Sequence, residues 1–208
     1  MTSTALLLAV TLLGAPATAP APKAEVARGQ YLVTVASCGD CHTPMSFNAE
    51  IGMPTPDMKR MLSGHPKDAP GPASALAKGD QGVIGPTFTS FKTPVGTANT
   101  ANLTSDKTGV GGTFTEEQFV KAMRTGKHLG VAQPILPPMP WMNLARATDA
   151  DLKAIYAYLK STPPIANQVP GNQVTPEALA DLAKAYEKMA ALQPKQPAPP
   201  KAEEPKKK

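Results

Sequence analysis

The sequence is short of the residues that fill large cores: aromatics make up 5% of 208 residues, with a single Trp. Against this stand 24 Pro and 16 Gly, the composition of a loop-rich chain with little aromatic material for packing. Cysteine stops at two residues and histidine at three. A one-sided charge is missing as well. The formal net charge is +5, but residues 190–208 hold five Lys against two Glu and so carry +3 of it. Residues 1–189 hold 16 Lys and Arg against 14 Asp and Glu, so the body of the chain is nearly balanced. No basic patch with interleaved aromatics appears, which removes the main support for a nucleic-acid partner. Nor is there an apolar run long enough to span a bilayer, since the longest, Ala5 to Leu13, is short of the roughly 20 residues needed.

What is present begins with that short run. Ala5 to Leu13, followed by small residues and Pro through Ala15-Pro16-Ala17-Thr18-Ala19, reads as an export signal over residues 1–22. Its n-region lacks Lys and Arg. A disordered leader on a cytosolic chain is the competing reading. Export would put the protein in the periplasm, and membrane association would follow only from an uncleaved leader.

Four helices are predicted. The first, 24–37, repeats Val26, Gly29, Val33 and Ala36 on one face. The second, 116–125, has Thr115 and Gln118 at capping-box spacing, a stripe of Phe119, Val120 and Met123, and Gly126 as its stop. Thr148 caps the third, whose Leu152, Ile155, Tyr156 and Leu159 follow helical spacing until Pro163-Pro164. Thr175 and Pro176 start the fourth, over 176–192. Residues 43–112 show no sustained period and read as ordered loop with short turns such as Pro56 to Leu62. So long a loop suits a compact domain only if it wraps something. The tail 193–208 is Pro- and Lys-rich and is expected to be disordered.

Both cysteines fall in one string, Cys38-Gly39-Asp40-Cys41-His42. Thiols one helical turn apart can form thioethers to the two vinyl groups of one porphyrin, and the adjacent imidazole then meets the iron from the same side. A buried porphyrin would also supply the apolar surface that the side chains lack. A Cys38–Cys41 disulfide, a thioredoxin-like redox pair and a zinc site completed by His65 and His128 are the competing readings. For the second axial ligand Met139 leads, because it is held in the stiff Pro138-Met139-Pro140 element just before the third helix. Met142 is its rival, and His65 or His128 would give bis-His ligation. Met45, Met53, Met58 and Met61 lie in the long loop, and Met123 belongs to a buried stripe.

At this point the chain resembles the class I cytochromes c, and more narrowly the bacterial mono-haem cytochromes related to dehydrogenase cytochrome subunits. The resemblance runs over about residues 25 to 165 in family order. It is carried by Arg28 to Val33, the attachment string, Met61 to Pro66, and Ala101 to Asp106. Thr115 to Phe119 with Arg124-Thr125-Gly126, Pro138 to Trp141, and Asp151 to Leu159 complete it. It implies an all-α fold: three core helices plus long loops around one covalent haem c, and here an extra C-terminal helix. It also implies that the first and last core helices cross, with Gly29 and Tyr31 meeting Tyr156 or Tyr158, and that Met139 ligates the iron. Two candidates, Gly85-Pro86 and Pro94, arise for the Pro carbonyl that fixes the axial histidine in the family.

The expected organisation is a leader at 1–22, a cytochrome domain at 23–167, a helical extension at 168–192 and a tail. The expected function is electron transfer by a carrier, not an enzyme, with redox proteins as partners: a dehydrogenase, a cytochrome complex or a terminal oxidase. A cytochrome subunit of a periplasmic dehydrogenase is the alternative, and a haem enzyme or sensor with an open iron site is a third.

Overall fold

The computed structural model describes residues 22–192; the body of the leader, 1–21, and the tail from 193 lie outside them. Local signals set most helix boundaries. Helix α1 spans Pro22–Val35 and ends in a turn at Ser37, whose φ of 54° swings the chain into the short helix α2, Cys38–His42. After α3 (Val110–Thr113) comes α4, Glu116–Thr125. Thr115 Oγ1 accepts from the Gln118 amide at 3.1 Å, and Gln118 Oε1 accepts from the Thr115 amide at 2.9 Å. Two donors that a helix start leaves orphaned are thereby satisfied. Helix α5 is Trp141–Leu144. In α6, Asp149–Ser161, Thr148 Oγ1 accepts from the Asp151 amide, and in α7, Pro176–Leu192, Thr175 Oγ1 accepts from Ala178.

Helices α1, α4 and α6 enclose the core, in which Val33, Leu62, Phe119, Met123, Leu152, Ile155, Tyr156 and Leu159 are buried together. Helix α1 crosses α6 at Gly29, where a Cβ would stand 1.9 Å from the Ala154 carbonyl oxygen and 2.8 Å from the Tyr158 Cβ. Only glycine permits that approach. An Arg28–Asp151 ion pair at 3.0 Å borders the crossing. Tyr31, expected at this crossing, is instead 57% exposed beneath the Arg28 guanidinium. Tyr156 packs on Phe119 and donates its hydroxyl proton to the Phe114 carbonyl.

The molecule is helical, but it is not all-α. The segment expected as loop, 43–112, contains five short strands. β1 (Met45–Asn48) pairs antiparallel with β2 (Met53–Pro56), while β3 (Val83–Ile84), β4 (Ser90–Thr93) and β5 (Gly96–Asn99) form an antiparallel sheet. Strands of two to four residues are too short to print an alternating pattern on a sequence, and β2 carries two prolines, tolerable because a two-stranded ribbon is all edge. The expected turn within 56–62 is a 3-10 turn at Met58–Arg60, capped by Asp57.

The chain after α6 returns to this region. Thr97 and Gln173 exchange two backbone hydrogen bonds at 2.9 Å. Asn167, 8% exposed, accepts from the Lys67 amide and donates to the Ser63 and His65 carbonyls at 2.7 and 2.9 Å. Residues 162–173 thus strap the 62–108 region onto the helices. Among the described residues, no helix is long and apolar enough to cross a membrane.

Candidate haem site

Helix α2 is the attachment string itself, so Cys38, Cys41 and His42 share one turn and a half of helix. Cys38 packs against the core cluster, and the two thiols are not joined to each other. Burial pushes the Cys38 thiol up to about 11, with the charges of Cys41 and Asp40 adding to the rise. Burial and then Asp40 raise Cys41 as well. Reactive dithiols show the opposite, a lowered thiol pKa.

His42 is buried and its Nδ1 lies 2.7 Å from the Ala101 carbonyl oxygen. A carbonyl only accepts, so Nδ1 carries the proton and Nε2 keeps its lone pair. Burial lowers the ring's pKa, which keeps it neutral against the opposing pull of that hydrogen bond. Nε2 has no hydrogen-bond partner among the described residues. A neutral imidazole oriented through one nitrogen with the other unengaged is what an iron ligand requires.

The surroundings of His42 come from distant segments. Its own carbonyl accepts from Gly64 at 2.8 Å, the Leu62 amide donates to Thr43 Oγ1, and Leu103 donates to the Leu62 carbonyl. His65 donates from its amide to Thr100. Next to Ala101, Asn102 is 2% exposed; its Oδ1 accepts from Thr104 and its Nδ2 donates to the Ile165 carbonyl at 2.8 Å. The carbonyl that fixes His42 is therefore not the one expected: Gly85-Pro86 and Pro94 were the candidates, and Ala101 supplies it.

Met139 lies in the loop before α5, half-buried against the core cluster that also receives Cys38, Met61, Leu103 and Ile135. Its amide donates to Leu136 and its carbonyl accepts from Trp141. Met142 looks elsewhere. It lines a cavity of about 340 Å³ with Trp141, Ala145, Ala183, Tyr186 and Glu187, on the α7 side of the loop. His65 has both ring nitrogens engaged, Nε2 on the Ala69 carbonyl and Nδ1 on Thr89 Oγ1 at 2.9 Å. His128 presents its ring at 88° to Phe114. Both nitrogens of His65 are thus taken up within the fold, and among the described residues no group of three or more His, Cys, Asp or Glu side chains is gathered as a metal site would need.

The donor chemistry suits an iron porphyrin: two thiols and an imidazole on one short helix, and a thioether on a separate loop, with Cys38 and Met139 packed against the same core cluster. Ala101, Asn102 and Asn167 were not among the expected site residues. A carbonyl has no signature in a sequence, but Asn102 stands in the segment Ala101 to Asp106 that carries the resemblance.

No family model matches the chain. It is 32% identical over 161 residues to the fructose dehydrogenase cytochrome subunit of Gluconobacter japonicus, covering 76% of this chain and 26% of that protein. It is 29% identical over 163 residues to the alcohol dehydrogenase (quinone) cytochrome c subunit of Gluconobacter oxydans, covering 78% and 26%. The gluconate 2-dehydrogenase cytochrome c subunit of Pantoea cypripedii is 29% identical over 154 residues, covering 74% and 27%. The alignments span about a quarter of the length of these relatives. With such relatives along roughly three quarters of its own length, the chain is a c-type cytochrome related to the cytochrome subunits of dehydrogenases.

Proposed function

We propose that this chain transfers electrons outside the cytoplasm, carrying one haem c on Cys38 and Cys41 with His42 and Met139 as axial ligands. The observation that carries the reading is the buried His42, protonated on Nδ1 by its bond to Ala101 and left with a lone pair on Nε2. The single attachment string in these 208 residues supports one haem. When bound, the haem supplies the one-electron cycle between ferric and ferrous iron.

The residues of the chain do the rest. Ala101 sets the orientation of the imidazole and strengthens it as a donor. A neutral thioether from Met139 favours the ferrous state, and the apolar surroundings disfavour the extra charge of the ferric one, so both raise the potential. The relatives are subunits of dehydrogenases, which supports a dehydrogenase as electron donor and the role of a cytochrome subunit in such a complex.

The test is the full chain exported by a host that attaches haem. Wild type is expected to show a low-spin spectrum with the red charge-transfer band of Met–ferric ligation. Met139→Ala should abolish that band. An unchanged spectrum removes Met139 from the iron, and carbon monoxide binding by untouched reduced protein points to an open site and against a carrier.

A further inference from the structure

Helix α7 stands apart from the three helices of the core, yet one of its side chains reaches the Met139 loop on both sides of the methionine. Tyr186 donates its hydroxyl proton to the Ile135 carbonyl at 2.7 Å, four residues before Met139. Its ring meets the Trp141 ring two residues after Met139, with centroids 5.1 Å apart and planes at 62°. Trp141 is 5% exposed and lies so close to Gly126 that a Cβ there would come within 2.3 Å of the indole. Ile135 is tied to the same glycine by its amide, which donates to the Gly126 carbonyl at 2.8 Å. The loop is thus pinned at its two shoulders, from α4 on the inside and from Tyr186 on the outside.

We propose that Tyr186 is a positioning residue for the axial methionine, a clasp through which helix α7 holds the Met139 loop in its ligating shape. This rests on the reading of Met139 as ligand. The hold is local. Most of α7 is exposed, Leu182 is its buried apolar anchor, and a cavity remains between the helix and Met142 beside the Tyr186 contact. A thioether is a weak ligand, so its occupancy depends on how little the loop must be ordered to bring it to the metal. A hydroxyl–carbonyl bond and an aromatic pair at either shoulder lower that ordering cost. Burial raises the pKa of the Tyr186 hydroxyl, so it stays a donor at neutral pH.

The experiment is an imidazole titration of the ferric full-length holoprotein, followed at the red charge-transfer band, beside thermal unfolding of the same samples. Tyr186→Phe keeps the ring and loses the hydrogen bond, and should raise imidazole affinity about threefold. Tyr186→Ala loses both contacts and should raise it about tenfold. Lys184→Ala, an exposed position on the same helix, should bind imidazole as wild type does. Should Tyr186→Ala fail to fold, Tyr186→Phe decides alone. Lower melting temperatures with unchanged imidazole affinity would make Tyr186 a purely structural contact and overturn the proposal, leaving Met139 as ligand. Retention of the band by Met139→Ala would instead remove the ligand assignment, and this inference with it.

Discussion

His42 and Met139 are held in different ways. Around His42 the restraints are hydrogen bonds that each engage a main-chain group, drawn from residues 62–65, 100–103 and 165–167, and the ring is buried among them. Around Met139 the backbone bonds are local, to Leu136 and Trp141, and the wider hold comes from Gly126, Trp141 and Tyr186. The difference suits the two roles proposed for them. The histidine has to be fixed in tautomer and ring angle by something that cannot rotate, and a carbonyl in a bonded framework does that. The methionine sits on a loop held at its shoulders by Gly126 and Tyr186, so a metal bond from it would be tunable without disturbing the histidine.

Breaking the histidine side should produce the largest effect. Gly64 has φ +74°, and a Cβ on it would fall 2.5 Å from the Ala101 carbonyl carbon and the Thr100 carbonyl oxygen. Backbone cannot yield as a side-chain tip does, and L-residues resist this φ. Gly64→Ala should therefore cost about 4 kcal/mol in denaturant unfolding and, in folded material, alter the EPR signature of the imidazole orientation. The converse variant attacks the methionine side. Gly126 has φ +64° and faces the Trp141 ring, which can shift somewhat, so Gly126→Ala should cost about 3 kcal/mol of stability at most. It should weaken the red charge-transfer band while leaving the histidine signature alone. If both variants disturb both signatures equally, the two sides are one unit and the distinction fails.

Asn167→Ala tests the strap that closes the histidine side. It leaves the Lys67 amide and the Ser63 and His65 carbonyls without their partner. A loss of about 2 kcal/mol is expected, with the methionine band intact.

The smallest effect concerns pH. Burial holds the pKa of His65 below its ordinary value, and a nearby Arg60 charge works in the same direction while the Ala69 bond opposes it. An unfolded chain protonates His65 near pH 6.5, the folded one only at lower pH, so this contribution is complete above about 6.5 and fades as the pH falls below it. His65→Gln should therefore show a shallower loss of stability between neutral and mildly acidic pH than wild type. Parallel pH profiles would rule His65 out as the cause.

Much of the fold was legible because its signals are local. The capping box of Thr115 and Gln118, the Thr148 and Thr175 caps, and the glycine and prolines that stop α4 and α6 act within one helical turn, so residue spacing alone locates them. Gly29 was legible too, because a glycine on a helix face has few other reasons to be there. Tyr31 was not, since ring size says nothing about which of two neighbouring faces meets the partner helix. The strands of 43–112 escaped for want of length, and the return of residues 162–173 escaped because pairing across some 75 residues leaves no mark on either segment.

By itself the sequence determined the attachment string, the four longer helices, and Met139 as the leading candidate for a second ligand, since these depend on residue type and short spacing. Only the tertiary structure decided how the imidazole is fixed, that Met142 faces α7 while Met139 faces the core, and that Tyr186 reaches the loop. The physical reason is that a backbone carbonyl is the same on every residue. Which one meets His42 is settled by how the chain folds back, 59 residues away, and not by what stands at position 101.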